Sequence, residues 1–275
     1  MYTQPKNSND AKPVTITTLA KMKAEGVKIA SLTAYDASFA ALLDEAGVDF
    51  VLVGDSMGNV IQGHATTVPV TVDDIVYHTQ NVARGLKRAL LMADMPFMSY
   101  PTLEMGLRNA ARLMQEGGAK MVKLEGGSSQ VDIVAHLTDN GVPVCAHLGL
   151  RPQSVHKLGG FSVQGRDSAA AKQMLKDAQV LEEAGADMLL LELVPSELAA
   201  KITARAKVPV IGIGAGPKVD GQILVLYDML DITPGRRPKF VRNFMGEGGT
   251  PAKAVAAFVK AVRDGSYPAP EHTFD

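Results

Sequence analysis

Five times along the chain an apolar run ends in an acid or a histidine: LVGDS at Asp55, LLMAD at Asp94, MVKLE at Glu125, PVCAH at His147 and LLLLE at Glu192. Three carboxylates drawn into one pocket repel one another in a low dielectric, and a bound cation is the natural way to keep them ionised. Oxygen donors without a thiolate cluster or paired histidines favour Mg²⁺ over Zn²⁺. Taken singly, Asp55, Asp94 and Glu125 serve equally well as caps of the helices that follow; their repetition at successive strand ends favours the metal. Lys123 precedes Glu125 by two residues, so the two side chains share a face of one strand. A lysine in a core is costly unless paired or functional, which makes Lys123 a candidate for a substrate carboxylate, the alternative being a strand shifted by one residue. Glu192, ending a run of leucines, is expected to have its pKa raised by desolvation and to suit general-base work, against the plainer reading of a solvated strand end or helix cap. His147 reads equally as a donor to a substrate oxygen and as a satisfied structural histidine.

Such residues converge when they sit at the C-terminal ends of strands in a parallel β/α barrel. Runs rich in Val, Ile and Leu, separated by helical patterns, predict strands near 27–35, 49–55, 89–94, 121–125, 142–148, 187–193, 208–215 and 222–228. They are apolar throughout instead of alternating, as strands covered on both faces are. EAGVDF, EGGAKM and EAGADM mark helices stopped by glycine just before the next strand. The expectation is a (β/α)8 TIM barrel: a flexible tail over residues 1–15, one catalytic domain over 16–275, and a C-terminal helical extension at PAKAVAAFVKAVRDG. GIGAG at 212–216 is a weak phosphate-loop signal. The segment from Leu148 to Asp167 is too long for a simple turn and holds Arg151, His156 and Arg166, which suggests a lid or a subunit contact.

Composition narrows the class. The 275 residues are 46% hydrophobic, with 28 basic and 29 acidic side chains and a formal charge of −1, so no nucleic-acid footprint is expected. A small-molecule substrate is expected instead. The only cysteine, Cys145, lies in an apolar run, which suits a reducing cytoplasm. No stretch reads as a membrane span or secretion signal.

The stretches LTAYDASFA, VLVGDSMGNVIQGH, TVDDIVYHT, ADMPFMSY, MVKLEGG, VPVCAHLGLRPQSV, LELVP, VIGIGAG and PKFVRNF, spanning residues 32–244, together resemble the 3-methyl-2-oxobutanoate hydroxymethyltransferase (ketopantoate hydroxymethyltransferase) family. Departures are local: Leu193 stands where many members carry Cys, and PKV follows GIGAG where an Asn-led segment is common. The resemblance implies transfer of a one-carbon unit from 5,10-methylenetetrahydrofolate to 3-methyl-2-oxobutanoate, giving 2-dehydropantoate for pantothenate synthesis. It implies Mg²⁺ at Asp55, Asp94 and Glu125, keto-acid contacts from Ser56 and Lys123, and Glu192 as proton acceptor. The candidate substrate-binding set is therefore Asp55, Ser56, Asp94, Lys123 and His147. It also implies a homo-oligomer, commonly a decamer. The rival enzyme class is a Mg²⁺-dependent α-keto acid lyase of the phosphoenolpyruvate mutase and isocitrate lyase type, whose active-site loop carries a cysteine; here Cys145 is in a strand. A barrel that only binds or assembles would not need all four acids.

Overall fold

The structure is a computed structural model that describes residues 12–235 and 237–275. Eight parallel strands close into one barrel in chain order: β1 (Ile29–Thr33), β2 (Phe50–Val53), β3 (Leu90–Asp94), β4 (Met121–Glu125), β5 (Val144–Gly149), β6 (Met188–Glu192), β7 (Val210–Ile213) and β8 (Gly221–Leu224). Each falls in or within a residue of an expected run. β1 to β4 and β7 to β8 are buried residue for residue, because the barrel interior covers one face and the outer helices the other.

Register places the chemistry. Asp94 on β3 lies beside Lys123 on β4, Glu125 beside His147 on β5, and Glu192 on β6 beside Gly149. Paired residues in a parallel sheet point to the same face, so alternate positions of β3 to β6 send these side chains into the barrel at its upper end. Gly149 is glycine for a steric reason. At its φ of 93° a Cβ would lie 2.1 Å from the Glu192 carbonyl oxygen, so a side chain there would push β5 and β6 apart.

The lower end is closed by helix Ile16–Ala24, whose Lys23 binds Asp220, the residue before β8, at 2.6 Å. Val14 is buried and Thr15 caps this helix. Ordered packing thus begins inside the expected tail, whose residues 1–11 lie outside the described residues. The C-terminal helix Pro251–Asp264 packs on β1 and on helix Ala37–Glu45, filling the outer position between β8 and β1. Phe258, Phe244 and Tyr267 seal it with edge-on ring contacts of 5.5 and 5.6 Å. No helix among the described residues is long and apolar enough to cross a membrane.

Candidate active site

One cavity of about 540 Å³ opens at the upper end, and Asp55, Ser56, Asp94, Lys123, Glu125, His147 and Glu192 all line it. The candidate metal, substrate and base residues are therefore brought together, whereas Arg151, His156 and Arg166 of the long loop do not line the cavity. Asp55 follows β2 after Gly54, and Ser56 occupies the N-cap of the short turn of helix after it; the backbone N–H of Asp55 donates to Asp94 Oδ2 at 3.2 Å. Lys123 is the hub. Its Nζ lies 3.0 Å from Asp94 Oδ1, 3.9 Å from Glu125 Oε1 and 3.3 Å from His147 Nδ1. A charged ammonium donates, so Nδ1 accepts and the imidazole proton sits on Nε2. That nitrogen approaches Glu192 Oε2 at 3.3 Å, within ion-pair range but without the alignment of a full hydrogen bond.

The electrostatics follow from burial. Asp55 is held well above the usual carboxylate range, first by burial and then by Asp94 and Glu125. Burial also raises Asp94, with Lys123 pulling the other way, and pushes Glu125 up to about 7. Burial pulls Lys123 down, but Asp94, Glu125 and Asp55 outweigh it and hold the ammonium above its ordinary value. His147 is lowered by burial and by Lys123, which favours neutral imidazole. Glu192 differs from the expectation of an acid embedded among leucines. Its side chain is 17% accessible, against 2% for Glu125 and 1% for Asp94, because β6 ends there and the carboxylate opens into the cavity.

This donor set fits a hard divalent cation. Asp94 Oδ1 and Glu125 Oε1 are buried without an aligned hydrogen-bond donor, and one lysine cannot neutralise four neighbouring acids. Among the described residues, however, no three acid, histidine or cysteine side chains are gathered tightly enough to enclose an ion by themselves. The Lys123 ammonium separates Asp94 from Glu125. Mg²⁺ commonly uses one or two carboxylates with substrate oxygens and water, so a complete protein cage is not required.

Sequence reasoning missed Gln153. It is buried, and its Nε2 donates to Asp55 Oδ2 and to the Met95 carbonyl, each at 2.9 Å. Its backbone N–H donates to Glu125 Oε2 at 3.1 Å, and its Oε1 accepts from the Tyr100 hydroxyl at 2.7 Å. The loop that holds it is otherwise tied to the end of β6, by Leu150 N–H to the Glu192 carbonyl (2.8 Å) and Gln164 N–H to the Leu193 carbonyl (2.9 Å). Leu193 sits at φ 48°, a left-handed turn that aims both carbonyls at the loop. Tyr35, whose hydroxyl lies 2.8 Å from Ser56 Oγ, was also missed; nothing in the LTAYD segment distinguishes a tyrosine that meets the site from one in the core. Of the GIGAG segment only Ile213 lines the cavity. Its Gly214 is pressed against Phe240 and Leu193 and Gly216 against Ser196, so these glycines serve close packing.

Known proteins place the chain. The family model of ketopantoate hydroxymethyltransferase matches residues 13–270. A relative from Alkalilimnicola ehrlichii, 3-methyl-2-oxobutanoate hydroxymethyltransferase, is 62% identical, covering 96% of this chain and 95% of its own. One of the same name from Ralstonia nicotianae is 57% identical over 96% of each. Among solved structures, phosphoenolpyruvate phosphomutase from Streptomyces platensis subsp. rosaceus superposes with a TM-score of 0.60 at 13% identity, covering 93% of this chain and 92% of its own. Phosphonopyruvate hydrolase bound to oxalate and Mg²⁺ gives 0.58 at 15%, covering 94% and 92%. At such identities these two show the shared barrel alone.

Proposed function

The chain belongs to the ketopantoate hydroxymethyltransferase family, and on that premise we propose that it transfers a hydroxymethyl group from 5,10-methylenetetrahydrofolate to 3-methyl-2-oxobutanoate, forming 2-dehydropantoate and tetrahydrofolate. The observation that carries the reading is the meeting of Asp55, Asp94, Lys123, Glu125, His147 and Glu192 around one cavity at the strand ends. Asp55, Asp94 and Glu125 would hold Mg²⁺. When bound, the ion supplies positive charge that polarises the keto acid's carbonyl and makes the C3 proton more acidic.

The remaining work falls to side chains. Ser56, backed by the Tyr35 hydroxyl, and Lys123 bind the oxygens of the keto acid. Leu52, Leu190 and Ile213 face the same space and suit the isopropyl group. Glu192 is the most accessible acid of the inner group and takes the proton from C3; His147 orients its carboxylate through Nε2. The carbanion carbon then bonds to the methylene carbon as that carbon's bonds to N5 and N10 of the folate break; water supplies the hydroxyl oxygen of the product, and the proton taken from C3 together with one from water leaves tetrahydrofolate with N–H at both nitrogens.

The same reading takes residues 16–275 as one catalytic unit of a cytoplasmic homodecamer that meets neither nucleic acid nor membrane. Phe97 and Met98, 42% and 60% exposed, together with Leu103 and Met105 support a subunit contact. Purified protein given 3-methyl-2-oxobutanoate, methylenetetrahydrofolate and Mg²⁺ should form 2-dehydropantoate; no product with or without metal would sink the proposal. A lyase of the mutase type finds no specific support, because the sole cysteine, Cys145, is fully buried in β5.

A further inference from the structure

The cavity exceeds what the keto acid needs. Its 540 Å³ lies within the roughly 300–1,000 Å³ of drug-sized ligand sites, whereas a branched five-carbon acid bound at Ser56 and Lys123 fills only the inner part. The rest is lined differently. Phe161, Val163, Phe240 and Phe274 give it apolar and aromatic walls, and a fifth acid, Asp228, lines it without a part in the proposed proton transfer. Asp228 follows β8, and with Ser56 and Asn59 it also borders an adjoining hollow of about 200 Å³. Its Oδ1 accepts from Thr233 Oγ1 at 2.6 Å, and among the described residues no side chain hydrogen-bonds to Oδ2. Among the described residues the cation acting on Asp228 is Arg237, which is paired with Asp231.

We propose that this outer compartment is the pterin subsite of the co-substrate and that Asp228 recognises the edge of the pterin carrying the 2-amino group and N3–H. The assignment rests on the folate reading above. Those two N–H groups are parallel donors, and a carboxylate accepts a parallel pair through its two oxygens. The phenyl rings offer the flat ring system apolar faces. Burial holds the Asp228 carboxyl above its usual range, with Thr233 pulling the other way, and two further donors from a ligand would favour its ionised form. Charge continues outward to match the rest of folate. Lys239, its ammonium 5.1 Å from the Phe274 ring centroid, lines the cavity and suits the glutamate carboxylates of the folate tail. Arg151, His156 and Arg166 do not line the cavity at all; Arg166 donates to the Asp275 carbonyl instead.

Asp228→Asn tests this, because it keeps the shape and the Thr233 hydrogen bond but sets a donor against a donor. Tetrahydrofolate and the fragment 6,7-dimethyltetrahydropterin should bind about 10-fold to 100-fold more weakly to the variant. Affinity for p-aminobenzoylglutamate, and folate-free exchange of the keto acid's C3 hydrogen with D₂O, should match wild type. Thr233→Val, which leaves the carboxylate in place, should weaken pterin binding by less. Wild-type affinity of Asp228→Asn for the dimethyltetrahydropterin would overturn the assignment, as would an equal loss of p-aminobenzoylglutamate. Failure of the folate reading has its own signature: wild-type protein would exchange the C3 hydrogen yet bind neither tetrahydrofolate nor the pterin, removing both proposals.

Discussion

Where the strands begin, buried and half-buried acids are matched one by one; where they finish, three buried acids share a single lysine. At the lower end Asp49 takes two 2.7 Å bonds from Arg263 and one of 2.8 Å from the Ala30 N–H. Asp220 is met by Lys23 at 2.6 Å and the Val210 N–H at 2.8 Å. Asp44 accepts from the backbone of Arg88 and Ala89. At the upper end Asp55, Asp94 and Glu125 act on Lys123, Glu192 approaches His147, and one oxygen each of Asp94 and Glu125 lacks an aligned donor. Charge satisfied by the fold contributes to stability, and charge left unsatisfied by it is available to a ligand. The division follows the general separation of a stabilising lower face from a working upper face in these barrels.

The largest effect expected is on chemistry at the upper end. Glu192→Gln preserves shape but accepts no proton, and losing a general base costs about 10²-fold to 10⁴-fold in rate. Measured as folate-free exchange of the C3 hydrogen with D₂O, the variant should be nearly inactive while still binding keto acid. Equal exchange in the two proteins would move the base elsewhere, with His147 next in line. The counterpart at the lower end is Arg263→Met. It strands the buried Asp49 carboxylate, which should cost about 3 kcal/mol in urea unfolding and leave C3 exchange per folded molecule unchanged. A catalytic defect there, with no loss of stability, would erase the contrast.

A comparable expectation concerns pH. Burial raises the Glu125 carboxyl to about 7 from an ordinary 4.5, so the folded state keeps the proton that the unfolded chain has released. Its contribution to stability is full below about 4.5 and disappears as pH rises through about 7, a change of about 3 kcal/mol. Asp55 shifts in the same direction. Thermal melts in chelator should therefore fall across this window, Glu125→Gln should flatten the fall, and Mg²⁺ should offset it at pH 8. A stability curve rising over the same range would mean that the upper acids are already compensated by the fold.

How much of this was legible in the sequence depended on whether a residue sat in a strand. An apolar run that ends in an acid announces both the strand and where its end group points, which is why Asp55, Asp94, Glu125 and Glu192 could be singled out. Two-residue periodicity placed Lys123 beside Glu125, and the structure has both facing the cavity. Asp228 closes the expected run 222–228, but β8 stops at Leu224 and Asp228 sits on the short helix that follows; Phe240 and Phe274 carry no such signal, because what they reach depends on how the segment after β8 crosses the barrel mouth. Val14, within the expected tail, is buried only through contacts made in the finished fold, which no local pattern announces.

Gln153 joins the two kinds of environment, and altering it should have the smallest effect of the four. It stands in the loop read from sequence as a lid, yet it is bound as tightly as any core residue. Gln153→Leu would remove donors from Asp55 Oδ2 and the Met95 carbonyl and the acceptor of the Tyr100 hydroxyl, at a cost of about 1–3 kcal/mol. Orienting contacts behind metal ligands typically change affinity by about 10-fold to 100-fold, so calorimetry should record weaker Mg²⁺ binding. Hydrogen exchange should divide the loop. In wild type the amides of Leu150, Gln153 and Gln164 should be protected without ligand, since each donates to an acceptor outside the loop. The stretch 156–162, with Gly159 and Gly160 at positive φ and Phe161 60% exposed, should exchange fast and gain protection only with keto acid and folate. Only this tip can then act as a lid, and Gln153→Leu should spread fast exchange down into the base. Uniform protection across 150–164 in the free protein would make the whole segment fixed packing and place it with the lower end of the barrel.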